Sequence, residues 1–102
     1  MKTITIDGVE YAPINNELGT KIVVADRGWV FIGVPTTNNI DGIRLAKANV
    51  IRRWGTDTER PGLGWLALHG KTEKTILEPT GMVFVPRNSV VAVIDVVAEW
   101  EL

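Results

Sequence analysis

The sequence predicts a mostly β protein, a small, strongly curved antiparallel sheet or barrel of about 6–8 strands carrying one short helix. Three observations carry that expectation. Runs rich in Val and Ile recur between turn residues, over residues 21–25, 28–34, 82–85 and 89–97; they are too short for helices and suit a pleated backbone. Asp7-Gly8 stands between the alternating segments Thr3-Ile4-Thr5-Ile6 and Val9-Glu10-Tyr11, and this pair supplies the positive φ angles of a tight hairpin turn. Several strands are apolar on both faces. Neighbours in a strand point to opposite sides, so Trp29 and Phe31 oppose Val30, Ile32 and Val34, and Val90, Ala92 and Ile94 oppose Val91 and Val93. One short helix does not cover that much apolar surface, so either the sheet closes on itself or subunits of a homo-oligomer share the surplus.

In chain order, a hairpin over residues 3–12 precedes a body over residues 21–97, together one domain of 102 residues, since a core of this size leaves little to divide. Asp26-Arg27 turns the chain between the first two strands of the body, and Thr36-Thr37-Asn38-Asn39 after Pro35 is expected to be a polar loop. Residues 42–45 and 48–54 follow as a third strand pair. After Pro61-Gly62, Leu63, Leu66 and Ala67 recur at helical spacing, and Gly70 stands where a terminating glycine belongs, which predicts a helix over residues 63–69. Pro86-Arg87-Asn88 is the turn before the last strand. Asn15-Asn16 is a further candidate contact loop, although turn chemistry alone explains it.

Composition excludes several functions. Cysteine is absent and His69 is the only histidine, so no disulfide, thiolate site or cysteine nucleophile exists, no metal or other cofactor is expected, and a reducing cytoplasm fits. The first residues alternate Thr with Ile rather than forming an apolar signal segment. The apolar run at residues 90–94 stops at Asp95, well short of the roughly 20 residues of a membrane span. A net charge of −1 argues against general nucleic-acid binding. Charge is uneven: residues 44–60 hold five basic side chains against Asp57 and Glu59, while Asp95, Glu99 and Glu101 crowd the C-terminus; two solvated faces of opposite sign are the simpler explanation.

Residues 50–71 concentrate the unusual chemistry: two of the four Trp, the only His, four Gly and three of the six Arg. Arg52-Arg53-Trp54 breaks the core-in, polar-out pattern of its strand, and Arg beside Trp offers an anion fork and a stacking plate. On the helix, Trp65, Leu68 and His69 share the face opposite Leu63, Leu66 and Ala67. The candidate binding residues are therefore Arg52, Arg53, Trp54, Arg60, Trp65, His69 and Lys71, with no catalytic or metal-binding residue assigned. The competing expectation is that the Arg stems merely cover core Trp and that the helix is buried on both sides.

Two catalytic motifs fail on inspection. Gly70-Lys71-Thr72 ends like a phosphate-binding loop, and residues 90–95 resemble the apolar strand that positions magnesium beside it, but Trp65 occupies the place of the first glycine and the loop follows a helix instead of opening one. A Ser89, His69 and Asp95 triad is conceivable, yet Ser89 sits in Pro86-Arg87-Asn88-Ser89-Val90 rather than in a glycine elbow.

Val50-Ile51-Arg52-Arg53-Trp54-Gly55-Thr56, then Pro61-Gly62-Leu63-Gly64-Trp65-Leu66-Ala67, then Gly70-Lys71-Thr72, followed by the strand-like residues 81–86, resembles a pattern in a family of small uncharacterised proteins of tailed bacteriophages and prophages. The resemblance runs from Lys21 onward, with Asp57-Thr58-Glu59-Arg60 as an insertion-like departure. It implies a phage setting, in which small β proteins act on host machinery or host defence, and it carries no catalytic residues. The expected function is a non-enzymatic, homo-oligomeric interaction protein that binds a host protein or a small ligand through residues 52–71. The alternatives are a protein that sequesters a nucleotide without turning it over and, from His69, a small hydrolase.

Overall fold

The computed structural model describes residues 4–6, 9–11 and 19–102. β1 (Ile4–Ile6) and β2 (Val9–Tyr11) pair antiparallel, Ile4 opposite Tyr11 and Ile6 opposite Val9, in the register that a two-residue turn dictates. The Asp7-Gly8 turn itself and the Asn15-Asn16 loop lie outside the described residues.

The body contains β3 (Lys21–Ala25), β4 (Val30–Asn39), β5 (Gly42–Arg53), α1 (Leu63–His69), β6 (Ile76–Pro86) and β7 (Val90–Asp95). Its strands form one antiparallel sheet of five, in the order β6-β5-β4-β3-β7. This corrects the expected barrel of six to eight strands: β6 pairs only with β5 and β7 only with β3, so the sheet stays open. It is nonetheless curled. Only Arg87–Ser89, a 3₁₀ turn, links the two edge strands; that link reaches about 14 Å, whereas the edges of a flat five-stranded sheet stand about 19 Å apart.

Two segments differ from the sequence expectation in the same way. Residues 36–39 are strand rather than loop, because Thr37, Asn38 and Asn39 pair with Arg44, Ile43 and Gly42 across the turn at Ile40-Asp41, where the Asp41 N–H donates to Asn39 Oδ1 at 2.9 Å. Residues 42–53 are one continuous strand rather than a pair, because Lys47 takes φ 51° and absorbs a bulge between Leu45 and Ala48. A bulge twists and bends the strand without ending it. α1 forms over the residues predicted for it, ending at Gly70 with φ 99° and the Gly70 N–H donating to the Leu66 carbonyl.

Each face of the sheet has its own apolar cluster. On one, Ile22, Val30, Ile32 and Ile51 pack against Leu63, Leu66 and Ala67 of α1, with Val96 and Trp100 of the C-terminal segment beside them. The other joins Val23 and Ala25 of β3, Ile43, Leu45 and Ala48 of β5 and Val85 of β6, with Val90 alongside; strands from both edges meet there because the sheet curls over that face. Helix docking and curling together thus cover both faces of the inner strands, while Val91 and Val93 of β7 and Trp29 stay exposed. At the β3–β7 edge, Lys21 and Asp95 are directly opposed and ion-paired.

Candidate functional site

The residues singled out between 52 and 71 separate into three places. Arg60 is engaged internally: it donates to Asp57 Oδ2 from Nη2 at 2.7 Å and from Nε at 3.1 Å, and to Glu73 Oε2 from Nη1 at 2.8 Å. The Asp57 carboxylate also receives the backbone N–H groups of Glu59 and Arg60, so the insertion-like loop folds on its own carboxylate. Hydrogen bonds from Arg60 hold Glu73 down at about 2 and lower Asp57, while those same carboxylates raise Arg60. The sign is fixed by the depressed carboxylates: their contribution to stability is complete above the ordinary glutamate value of 4.5 and is lost as pH falls through about 2. Arg60→Met should therefore narrow its melting-temperature gap from the parent protein between pH 5 and pH 2; a gap constant over that range would show that the pair contributes nothing.

Trp65 and His69 form the second place. They sit one helical turn apart on α1 with ring centroids 4.6 Å apart, and Trp65 packs half-buried against the cluster beneath the helix. Leu63, Leu66 and Ala67 are buried, and Leu68 and His69 are exposed, so the helix divides as predicted except that its indole is partly core. Lys71 is exposed beyond the helix end. Thr72 is buried: its hydroxyl donates to the Gly55 carbonyl at 2.7 Å, while the Thr75 hydroxyl donates to the Trp54 carbonyl at 2.8 Å. These two threonines pin the chain as it leaves β5. The phosphate-loop lookalike is thus a helix exit and a structural clamp. Ser89 lines a cavity beside Ala25 and Val85, on the face opposite the helix that carries His69, and no described hydrogen bond joins the two.

The third place holds Arg52, and sequence reasoning missed its surroundings. Arg52 lines a cavity of about 300 Å³ together with Arg27, Gly28, Trp29, Val50 and Ile51. Phe31 pairs with Val50 across β4 and β5, and two residues further along the pair Trp29 and Arg52 reach the same end of the sheet. Trp29, 48% exposed, stacks parallel to Phe31 with centroids 5.7 Å apart. A second, apolar cavity of about 200 Å³ adjoins it, lined by Trp29, Phe31, Phe84, Val85, Pro86, Ala25, Asp26 and Ser89. The Arg44 guanidinium lies 5.2 Å over the Phe84 ring. Trp29 is thus the wall common to a dibasic cavity and an aromatic one.

The turn that presents this wall is tight. The Ala25 N–H donates to the Trp29 carbonyl at 2.8 Å, and the Trp29 N–H to the Asp26 carbonyl at 3.4 Å. Arg27 inside it takes φ 59°, ψ 27°, a left-handed conformation uncommon outside glycine. Arg27 has no ion pair among the described residues, and Arg52 has one long contact, Nε to Glu78 Oε1 at 3.5 Å, with both side chains more than half exposed. Such an exposed pair holds its partners weakly. Arg53 and Trp54 are exposed at the end of β5 and line neither cavity. Among the described residues no group of three or more His, Asp or Glu could hold a metal ion, and no helix is long and apolar enough to cross a membrane. No family model, curated protein or solved structure matches the chain.

Proposed function

We propose that this chain is a non-enzymatic binding protein that takes a small ligand in the cleft around Trp29, on a sheet that works as an incompletely closed barrel. One observation carries the reading: a single exposed tryptophan lines two adjoining cavities of opposite character, one with two arginines and one with aromatic and aliphatic walls. Their combined size, about 500 Å³, falls in the range of small-molecule sites, which are mostly apolar with a few convergent polar groups. The rigid scaffold favours binding too, because Trp29 directly precedes β4 and Phe31 is its second residue, and β4 is the central strand of the sheet. A phage setting and a cytoplasmic location, where the ligand would be withdrawn from the host, belong to the same proposal. So does self-association, which the exposed Val91 and Val93 on edge strand β7 favour.

The test is an amide-resolved titration with two simple aromatic anions, phenyl phosphate and indole-3-acetate. Shifts should concentrate at residues 25–31, 50–52 and 84–89, and both compounds should be recovered chemically unchanged. Shifts centred on α1 and the Arg60 loop, or conversion of either compound, would defeat the proposal.

A further inference from the structure

We propose, resting on that reading of the cleft, that its ligand is a nucleoside monophosphate and that Asp26 biases it toward guanine. The anion comes first. Two arginines, Arg27 and Arg52, line the polar cavity, and their planar guanidinium forks match the oxygens of a phosphate bidentately. A pair of them suits a dianion better than a single carboxylate. Arg27 has no competing carboxylate among the described residues, and Arg52 has only the long, exposed contact to Glu78. Neither guanidinium is committed to holding the fold, in contrast to Arg60 with its two carboxylates.

The base follows from what lies across Trp29. The adjoining cavity is walled by Trp29 and Phe31, stacked within 5° of parallel, and by Phe84 and Pro86. Flat aromatic walls take flat aromatic ligands, and base-on-indole stacking is favourable for every nucleobase. Selectivity needs a polar group, and the cavity has two, Asp26 and Ser89. An ionised carboxylate only accepts hydrogen bonds. Guanine offers it two adjacent donors, N1–H and the N2 amino group, whereas adenine sets its amino donor beside the N1 lone pair, which a carboxylate repels. The Asp26 carboxylate makes no described hydrogen bond or ion pair of its own, while its backbone carbonyl holds the turn. The base edge, the stacking plate and the phosphate fork thus follow one another along residues 26, 29, 27 and 52.

Calorimetric titration of the full chain with GMP, AMP, guanosine and inorganic phosphate tests this. GMP should bind at least tenfold more tightly than each of the other three. Arg27→Ala and Arg52→Ala should each weaken GMP at least tenfold and leave guanosine unchanged, and Asp26→Asn should remove the preference over AMP. Glu78→Gln should tighten GMP a few-fold by freeing Arg52, a gain that misfolding would not produce. Melting temperatures within a few degrees of the parent check that these exposed substitutions leave the fold intact. Equal affinity for guanosine and GMP, or GMP binding indifferent to both arginines, overturns the phosphate assignment; equal affinity for GMP and AMP overturns the role of Asp26. If GMP fails while phenyl phosphate still shifts the cleft residues, the nucleotide inference falls and the binding reading stands, whereas silence from both removes the two together.

Discussion

Replacing Gly42 with alanine should destabilise the protein by about 4 kcal/mol or more, a range that only a few identifiable mechanisms reach. Two of them act here. Gly42 takes φ +152°, and a Cβ built on it would lie 2.2 Å from the Val85 carbonyl oxygen and 2.8 Å from Cζ of Phe84. The Phe84 ring is exposed and can swing away. The Val85 carbonyl belongs to the β5–β6 ladder, in which Ile43 opposes Val85 and Gly42 opposes Pro86, so relief requires the two strands to part. At the usual scaling for a domain of this size the melting temperature should fall by about 16 °C or more. Gly64→Ala is the matched control, because nothing lies within 4 Å of its Cβ position and α1 gains a better helix former. It should add about 0.4–1 kcal/mol. A Gly42→Ala protein melting within a few degrees of the parent would mean that β5 and β6 do not approach as described.

The contrast between those two glycines shows what the sequence could and could not convey. Local chemistry was legible: the terminating Gly70, the apolar spacing of Leu63, Leu66 and Ala67, and the β-branched runs of β3 and β7 locate their elements because each depends on neighbours in the chain. Gly42 depends on Val85, 43 residues away, and no local pattern announces that. The same distinction explains the segments that differed. Residues 36–39 are polar and look like loop, yet their backbone pairs with β5, and pairing is indifferent to side-chain polarity when one face is solvated. The break expected within residues 42–54 did not occur because a bulge at Lys47 continues the strand, a backbone event that the Ala46-Lys47 side chains do not signal.

The candidate site divides along the same line. Arg52 was singled out because it breaks the alternation of its strand, and it does line a cavity. Its companions Arg27 and Trp29 were overlooked because alternation alone put Trp29 with Phe31 on one of two apolar faces in need of cover. Trp29 instead stands just before the strand begins at Val30, past the last cover that β3 and β5 provide, and so stays half exposed. The available clue was Arg27-Gly28-Trp29, a cation and an aromatic around a turn glycine, but only the register of β4 on β5 shows that Arg52 completes it. Arg60 was legible only in part, for the opposite reason. Its proximity to Asp57 was visible in sequence, whereas Glu73, which closes the pair into a clamp, comes from beyond the helix.

Leu66→Ala should remove about 2–5 kcal/mol, the range for emptying a fully buried leucine site, and the loss should be uneven across the molecule. Leu66 is completely buried between α1 and Ile22, Ile32 and Ile51 of the sheet. A helix of seven residues is far below the length that is stable alone in water, so α1 exists because Leu63, Leu66 and Ala67 are held against that face. The C-terminal segment depends on it in turn: the Val97 and Ala98 N–H groups both donate to the Ala67 carbonyl, at 2.8 and 3.2 Å, and Val96 and Trp100 pack on the same cluster. Loosening α1 should therefore release residues 96–100, while the opposite cluster around Val23, Ile43 and Leu45 keeps its strands paired. Hydrogen exchange resolves the difference: the Gly70, Val97 and Ala98 amides should lose protection first, and the β4–β5 amides should keep theirs. Uniform loss of protection would instead make the two faces one cooperative core, and the curled sheet would then need its helix to hold its shape.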